Sequence, residues 1–128
     1  MIVVDTSVWV DFFKGHDPKV KTKLIDLIDS DQVILVYPVF LELLAGARKS
    51  DAQKLKYFLS ALNVQMVTAE SWFQVEKWID IARGKGQTFS VMDLLIAAVS
   101  DRQSASIWSL DRDFVGMAKC GFIELFDY

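Results

Sequence analysis

Asp5, Glu42, Asp93 and Asp111 are the residues of this sequence whose placement calls for chemistry. Each is a single acid in apolar company. Asp5 ends Ile2-Val3-Val4, and Glu42 lies within Val39-Phe40-Leu41-Glu42-Leu43-Leu44. Asp93 lies within Val91-Met92-Asp93-Leu94-Leu95-Ile96, and Asp111 follows Ile107-Trp108-Ser109-Leu110. A lone buried carboxylate is costly unless it is paired. Carboxylates gathered at close range raise one another's pKa and cannot all ionise without a cation. No Lys, Arg or His lies inside these segments before Arg112. A divalent metal would satisfy the set, and all-oxygen ligands suit Mg2+ or Mn2+ rather than zinc. Cations held in this way orient and polarise a phosphodiester and turn a bound water into an attacking hydroxide. Taken singly, three of the acids have a simpler explanation. Asp5 and Asp111 fit helix N-caps, Ser90-x-x-Asp93 fits a capping box, and an acid in a first helical turn gains from the helix dipole. Glu42 resists that explanation, because Val39 offers no hydroxyl three residues before it.

For the four acids to meet, the chain must bring strand ends and the first turns of helices to one rim. The sequence predicts that it does. Ile2-Val3-Val4 reads as a short buried strand running straight into a helix that carries Val8, Trp9, Phe12 and Phe13. Asp17 and Pro18 open a second helix with Val20, Leu24, Leu27 and Ile28 at helical spacing. A second strand, residues 33–37, is apolar on both faces, as expected of a parallel strand covered by helices. Helices are predicted over 39–48 and from an Asp51 cap onward, with Leu55, Phe58, Leu59 and Leu62 on one stripe. Residues 64–67 read as a weaker third strand, and 69–83 as a long helix with Trp72, Val75, Ile79 and Ala82 as its seam. Gly84-Lys85-Gly86 breaks that helix, and Ser90 opens the most apolar helix of the chain, over 91–102. A fourth strand over 106–110, a short helix over 111–119 and an edge strand over 122–126 complete the order. Strands alternating with helices through short connections imply right-handed crossovers and an α/β fold with a mostly parallel central sheet of four to five strands. Ligands bind such sheets at the carboxyl ends of the strands.

Composition narrows the field further. The 128 residues suffice for one domain, 1–128, with a real core, and no linker or repeat divides them. Hydrophobic residues make up 52% and charged ones 24%, which marks a folded globular protein. The net charge of -3 argues against a surface coated for non-specific duplex binding. The lone Cys120 excludes an internal disulfide and a cysteine zinc site. The one histidine, His16, lies in a turn, which excludes paired-histidine nuclease chemistry and a Ser-His-Asp triad. There is no Gly-rich phosphate loop. No apolar run approaches the ~18 residues needed to span a membrane, and the start of the sequence lacks the pattern of a secretory signal. A cytoplasmic protein is the simplest expectation.

Val3-Val4-Asp5-Thr6-Ser7, Glu42-Leu43-Leu44-Ala45-Gly46, Asp93-Leu94-Leu95-Ile96-Ala97-Ala98 and Ser109-Leu110-Asp111-Arg112-Asp113-Phe114 together resemble the acidic motifs of PIN-domain nucleases. Size and helix content resemble the VapC ribonucleases of toxin–antitoxin pairs. One such motif is weak, but four in this order are specific. The resemblance implies a three-layer α/β/α sandwich and Mg2+- or Mn2+-dependent endonucleolytic cleavage of RNA, with transfer RNA a frequent target in the family. It places Asp5, Glu42, Asp93 and Asp111 on the acidic catalytic and metal-binding positions. A hydroxyl from Thr6 or Ser7 would support the first acid, and Asp113 matches an acid that contributes in some members, leaving open whether Asp111 or Asp113 is the fourth ligand. Ser109 stands where threonine is commoner and keeps the hydroxyl. The resemblance also implies a homodimer and a small VapB-like antitoxin wrapped over the toxin. Lys14, Arg48, Lys49, Arg83, Lys85 and Arg112 fall at helix ends and turns where they could meet RNA phosphates. Of these, Arg83-Gly84-Lys85-Gly86 is the best candidate for a mobile basic loop. Trp9, Phe12 and Phe13 could line an antitoxin groove, and the Leu55–Leu62 stripe could serve as a dimer face or simply as core. Two other readings compete with a ribonuclease toxin. One is a non-catalytic PIN-like module that binds RNA or protein. The other is a different acid-dependent enzyme. A haloacid-dehalogenase-type phosphatase would want an aspartate where Ser7 stands, and a receiver domain an acidic neighbour beside Asp5.

Overall fold

The structure, a computed structural model, describes residues 1–127. Strands β1 (Ile2–Val4), β2 (Val33–Val36), β3 (Asn63–Gln65) and β4 (Ser106–Trp108) form one parallel sheet in the order β3-β2-β1-β4. The helices between and after them are α1 (Thr6–Lys14), α2 (Pro18–Asp29), α3 (Tyr37–Gly46), α4 (Ala52–Ser60), α5 (Ala69–Gly84), α6 (Val91–Arg102) and α7 (Arg112–Lys119). β1 and β2 are buried along their whole length, as strands covered on both faces must be.

The strand order dictates where a site can form. From β1 the chain steps outward to β2 and β3, then crosses back over the sheet to β4 on the other side of β1. Right-handed crossovers then put α1 to α4 on one face and α5 and α6 on the other. In keeping with this, α1 packs on α2 and α3, and α5 on α6. Neighbouring β1 and β4 are thus approached by connections running in opposite directions. Their carboxyl ends flank a topological switch point, the crevice where open α/β sheets bind ligands. Val4 lies opposite Trp108, and the Asp5 amide donates to the Trp108 carbonyl at 2.9 Å. The β1–β4 pairing therefore runs right to the base of Asp5.

The core is apolar almost throughout. In α6, every residue from Leu94 to Ser100 is buried, so this helix is enclosed on all sides. Among the described residues, the buried polar or charged ones are Asp5, Ser71 and Ser100. Asp5 is the only charged member of that group.

Several local expectations shift. β1 covers Ile2–Val4 as read, whereas β2, β3 and β4 are three or four residues long, shorter than the runs 33–37, 64–67 and 106–110 suggest. Residues 122–126 make one parallel bridge, Ile107 with Leu125, rather than a full strand. Two backbone bonds hold it, Ile107 N to Glu124 O at 2.9 Å and Phe126 N to Ile107 O at 2.7 Å. β4 pairs over three residues with β1, and this single bridge covers its outer edge. On α5 the buried seam is Ser71, Val75, Trp78 and Ala82, while Trp72 is exposed. The small Ser71 faces inward at the capped first turn, and Trp78 stacks on Phe122 with ring centroids 4.5 Å apart. Trp9 is fully buried, although a first-helix aromatic next to Phe12 and Phe13 reads as exposed. Asp51 occupies the N-cap position of α4 but makes no cap bond, and its carboxylate instead accepts from Arg48 Nε at 3.1 Å. The stripe of Leu55, Phe58, Leu59 and Leu62 packs against the core. Among the described residues, no helix is long and apolar enough to cross a membrane.

Candidate active site

Asp5 follows β1 at the switch point and serves as the N-cap of α1. Its Oδ2 atom collects three donors: Ser7 Oγ at 2.8 Å, Ser109 Oγ at 2.8 Å and the Ser7 amide at 3.4 Å. The two serines come from opposite ends of the chain, and their oxygens lie 3.2 Å apart. Each also accepts a backbone amide, Ser7 from Leu110 and Ser109 from Asp111, both at 2.9 Å. A hydroxyl has one proton to give. Asp5 Oδ2, at 2.8 Å from each serine, is a closer acceptor for that proton than the other serine at 3.2 Å. The serines thus pass the donor character of the loop after β4 onto one carboxylate oxygen, and bonds to an ionised acceptor are the stronger kind. Among the described residues, Oδ1 accepts no hydrogen bond and remains available to a ligand.

The other acids reach the same place from three helices. Glu42 sits in the second turn of α3, where its Oε1 accepts from Thr6 Oγ1 at 3.2 Å. The two hydroxyls after Asp5 therefore divide their work, Ser7 holding Asp5 and Thr6 holding Glu42. Asp93 lies in the first turn of α6, where its amide donates to the N-cap Ser90 Oγ at 3.1 Å. Asp111 is the N-cap of α7, and its Oδ1 accepts from the Asp113 amide at 2.9 Å. Asp93, Asp111 and Asp113 each bring a carboxylate oxygen within 4.8 Å of the others. Sequence left Asp111 and Asp113 as alternatives, whereas the fold places both beside Asp93. Cap and cluster member are compatible roles, since capping occupies one carboxylate oxygen and frees the other.

Electrostatics ties the acids together. Burial pushes the Asp93 carboxyl up from its ordinary 3.8 to about 6, against the lowering effect of a hydrogen bond with Ser90. The charges of Asp5, Asp111 and Asp113 add to the rise. Glu42 is exposed as a residue, but partial desolvation raises its carboxyl pKa, with Thr6 opposing and Asp5 reinforcing. Asp5 is the common neighbour, acting on Glu42 on one side and on Asp93 on the other.

A groove of about 680 Å³ leads away from Glu42 between α1, α3 and α4. Val10, Phe13, Leu43, Leu55 and Phe58 form its apolar lining, and Lys14, Arg48 and Lys54 its cationic rim. Lys54 carries no signal in sequence, and only the packing of α4 brings it there. Arg48 is largely exposed and paired with Asp51, a surface contact worth little by itself. Lys49 is exposed just beyond Arg48, and Arg112 is exposed in the first turn of α7, next to Asp111. Arg83 and Lys85 lie at the end of α5, on the turn leading to Ser90 and Asp93. That turn is tied down by bonds from the amides of Lys85, Gly86 and Gln87 to carbonyls of α5.

Comparison with known proteins agrees with this architecture. A family profile, the PIN domain, matches residues 2–119. The chain is 30% identical over 126 residues to "VapC ribonuclease Mb1587" of Mycobacterium bovis, an alignment covering 93% of this chain and 92% of that protein. Among solved structures it is similar to VapBC2 from Rickettsia felis bound to a promoter DNA fragment, at 22% identity and a TM-score of 0.81, covering 100% of this chain and 99% of the other. A toxin–antitoxin complex from Klebsiella pneumoniae matches at 18% identity and a TM-score of 0.76, covering 91% and 92%. A parallel sheet with acids gathered at its switch point and a profile match over nearly the whole chain lead to one assignment: this chain belongs to the PIN-domain family, within its VapC branch.

Proposed function

We propose that this protein is an Mg2+- or Mn2+-dependent endoribonuclease and the toxin of a toxin–antitoxin pair, acting in the cytoplasm. The observation that carries the reading is Asp5, a buried carboxylate fixed through one oxygen by Ser7 and Ser109, whose charge acts on Asp93, a member with Asp111 and Asp113 of a group of carboxylates within 4.8 Å of one another. The donor set fits a hard cation. Two oxygens on one Mg2+ lie at most about 4.2 Å apart, given bonds of about 2.1 Å, and the three clustered carboxylates already come within 4.8 Å of one another. Asp5, Asp93, Asp111 and Asp113 would hold the metal, with Glu42 at the groove side. When bound, such a cation polarises a phosphodiester and lowers the pKa of its water. The residues themselves supply placement. Ser7 and Ser109 hold Asp5 through Oδ2 and leave Oδ1 without a hydrogen bond among the described residues, while Thr6 orients Glu42. Lys14, Arg48 and Lys54 on one side, and Arg83, Lys85 and Arg112 on the other, would meet RNA phosphates, contacts that position rather than specify.

A VapB-like antitoxin would cover the groove, its apolar side chains against Phe13, Leu43, Leu55 and Phe58. The relatives named above as toxin–antitoxin and VapBC assemblies support such a partner, and a homodimer accords with the family. The test is Asp5→Asn. Asparagine caps a helix as well as aspartate does, so α1 and the fold should persist while the anionic ligand is lost. RNA cleavage should require Mg2+ or Mn2+, stop with EDTA and vanish in the variant. Full cleavage by Asp5→Asn overturns the assignment of Asp5. RNA binding with no cleavage by the wild type in either metal points instead to a non-catalytic module.

A further inference from the structure

Gly116 is the one glycine of the six whose missing side chain is explained by a neighbour. A Cβ placed on it would lie 3.0 Å from Phe89 Cε1, 3.2 Å from Phe89 Cζ and 3.6 Å from Gln87 Oε1, whereas the other five glycines face open space. Its backbone has no positive φ, so conformational freedom is not the reason for glycine here. Glycine inside a helix costs about 1 kcal/mol relative to alanine, and α7 has only eight residues in which to offset that. The contact it permits joins two elements at a decisive point. Phe89 immediately precedes Ser90, the N-cap that binds the Asp93 amide. Gly116 lies one turn beyond Asp113 and on the same helical face. Phe89 is partly buried and packs against the core, which limits how far the ring can turn aside.

We infer that Gly116 and Phe89 are positioning residues: their close contact sets the gap between the first turns of α6 and α7, and so brings Asp93 to Asp111 and Asp113. Ordinary carbon–carbon contact needs about 3.5–4.0 Å. An added methyl therefore forces Phe89 and α7 apart by about half an ångström. The inference rests on the reading that these three carboxylates hold a cation, and the experiment separates the two.

Mn2+ binding to the metal-free protein is followed by electron paramagnetic resonance of the free ion, with circular dichroism and Tm recorded alongside. Loss of a group that orients metal ligands typically weakens binding by about 10–100-fold, and Gly116→Ala should fall at the lower end, near tenfold. In Gly116→Ala/Phe89→Leu the new methyl occupies the space of the lost ring tip, and affinity should return to within about threefold of wild type. Asp93→Asn should lose the site. A folded Gly116→Ala with wild-type affinity, or a double variant no better than the single, overturns the positioning role and leaves the metal reading intact. Wild-type affinity in Asp93→Asn overturns that reading, and this inference with it. If Gly116→Ala does not fold, Phe89→Leu alone decides: opening the contact should weaken Mn2+ binding by about threefold or more, and unchanged affinity refutes the proposal.

Discussion

Asp93 should make the metal-free protein less stable at neutral pH than an uncharged variant would be. Burial and the neighbouring charges of Asp5, Asp111 and Asp113 raise its carboxyl from 3.8 to about 6. A carboxyl raised in the folded state binds its proton more tightly there than in the unfolded chain. Its stabilising contribution is fully present below pH 3.8 and is lost as pH rises through about 6. At 1.36 kcal/mol per pH unit that gap amounts to about 3 kcal/mol. Asp93 is only half-buried, so solvent screening reduces the expected loss to about 1–1.5 kcal/mol. Asp93→Asn removes the charge and keeps the shape. With EDTA present it should be about 1–1.5 kcal/mol more stable than wild type at pH 7.5, and the advantage should shrink steadily toward pH 4.5. Urea denaturation of both proteins across this range measures the difference directly. Adding Mn2+ should stabilise wild type but not the variant, because a ligand stabilises only the state that binds it. An Asp93→Asn protein no more stable than wild type at pH 7.5, or a difference that ignores pH, refutes the picture of a strained acidic cluster awaiting a cation.

Three further substitutions probe serine hydroxyls, two of them in the polar network around Asp5. Ser7→Ala or Ser109→Ala removes a donor from Asp5 Oδ2 and leaves the Leu110 or Asp111 amide without its acceptor. Each should lower kcat for a fluorogenic RNA about tenfold, and the double variant should fall by less than the product, since both serve one oxygen. Additive losses would mean that the serines act independently. Ser100 buries its hydroxyl in α6 with no partner among the described residues. Ser100→Ala should therefore raise stability by about 1 kcal/mol in urea denaturation, and a clear loss would reveal a hydrogen bond made by that hydroxyl.

Much of the site was legible because chemistry left local marks. Asp5 ends an apolar strand, Asp93 follows Ser90 at capping-box spacing, and Asp111 stands at the end of a strand, so local rules of burial and capping located each acid. Element order followed in the same way, since alternation of strand and helix restricts the topology to crossovers of one hand. What remained open depended on rotation and reach. Trp72 and Ser71 are neighbours in sequence, and hydropathy favours the tryptophan for the interior, yet α5 turns Ser71 inward. Helical period sets the spacing of a seam, while the partner helix sets its phase.

The sequence by itself determined which acids could serve a hard cation, and that strand ends and the early turns of helices would bring them toward one rim. Only the tertiary structure decided how they share the work. Whether Thr6 or Ser7 supports Asp5 was settled when Ser109, more than a hundred residues away, arrived at the same carboxylate oxygen and left Thr6 to Glu42. Asp111 and Asp113 stood as alternatives in the sequence, and the packing of α7 brings a carboxylate oxygen of each within 4.8 Å of Asp93. The physical reason is common to both cases. Local rules fix conformation over a turn of helix or a few residues of strand, whereas a binding site is a set of distances between distant segments, and only the packing of whole elements can set those.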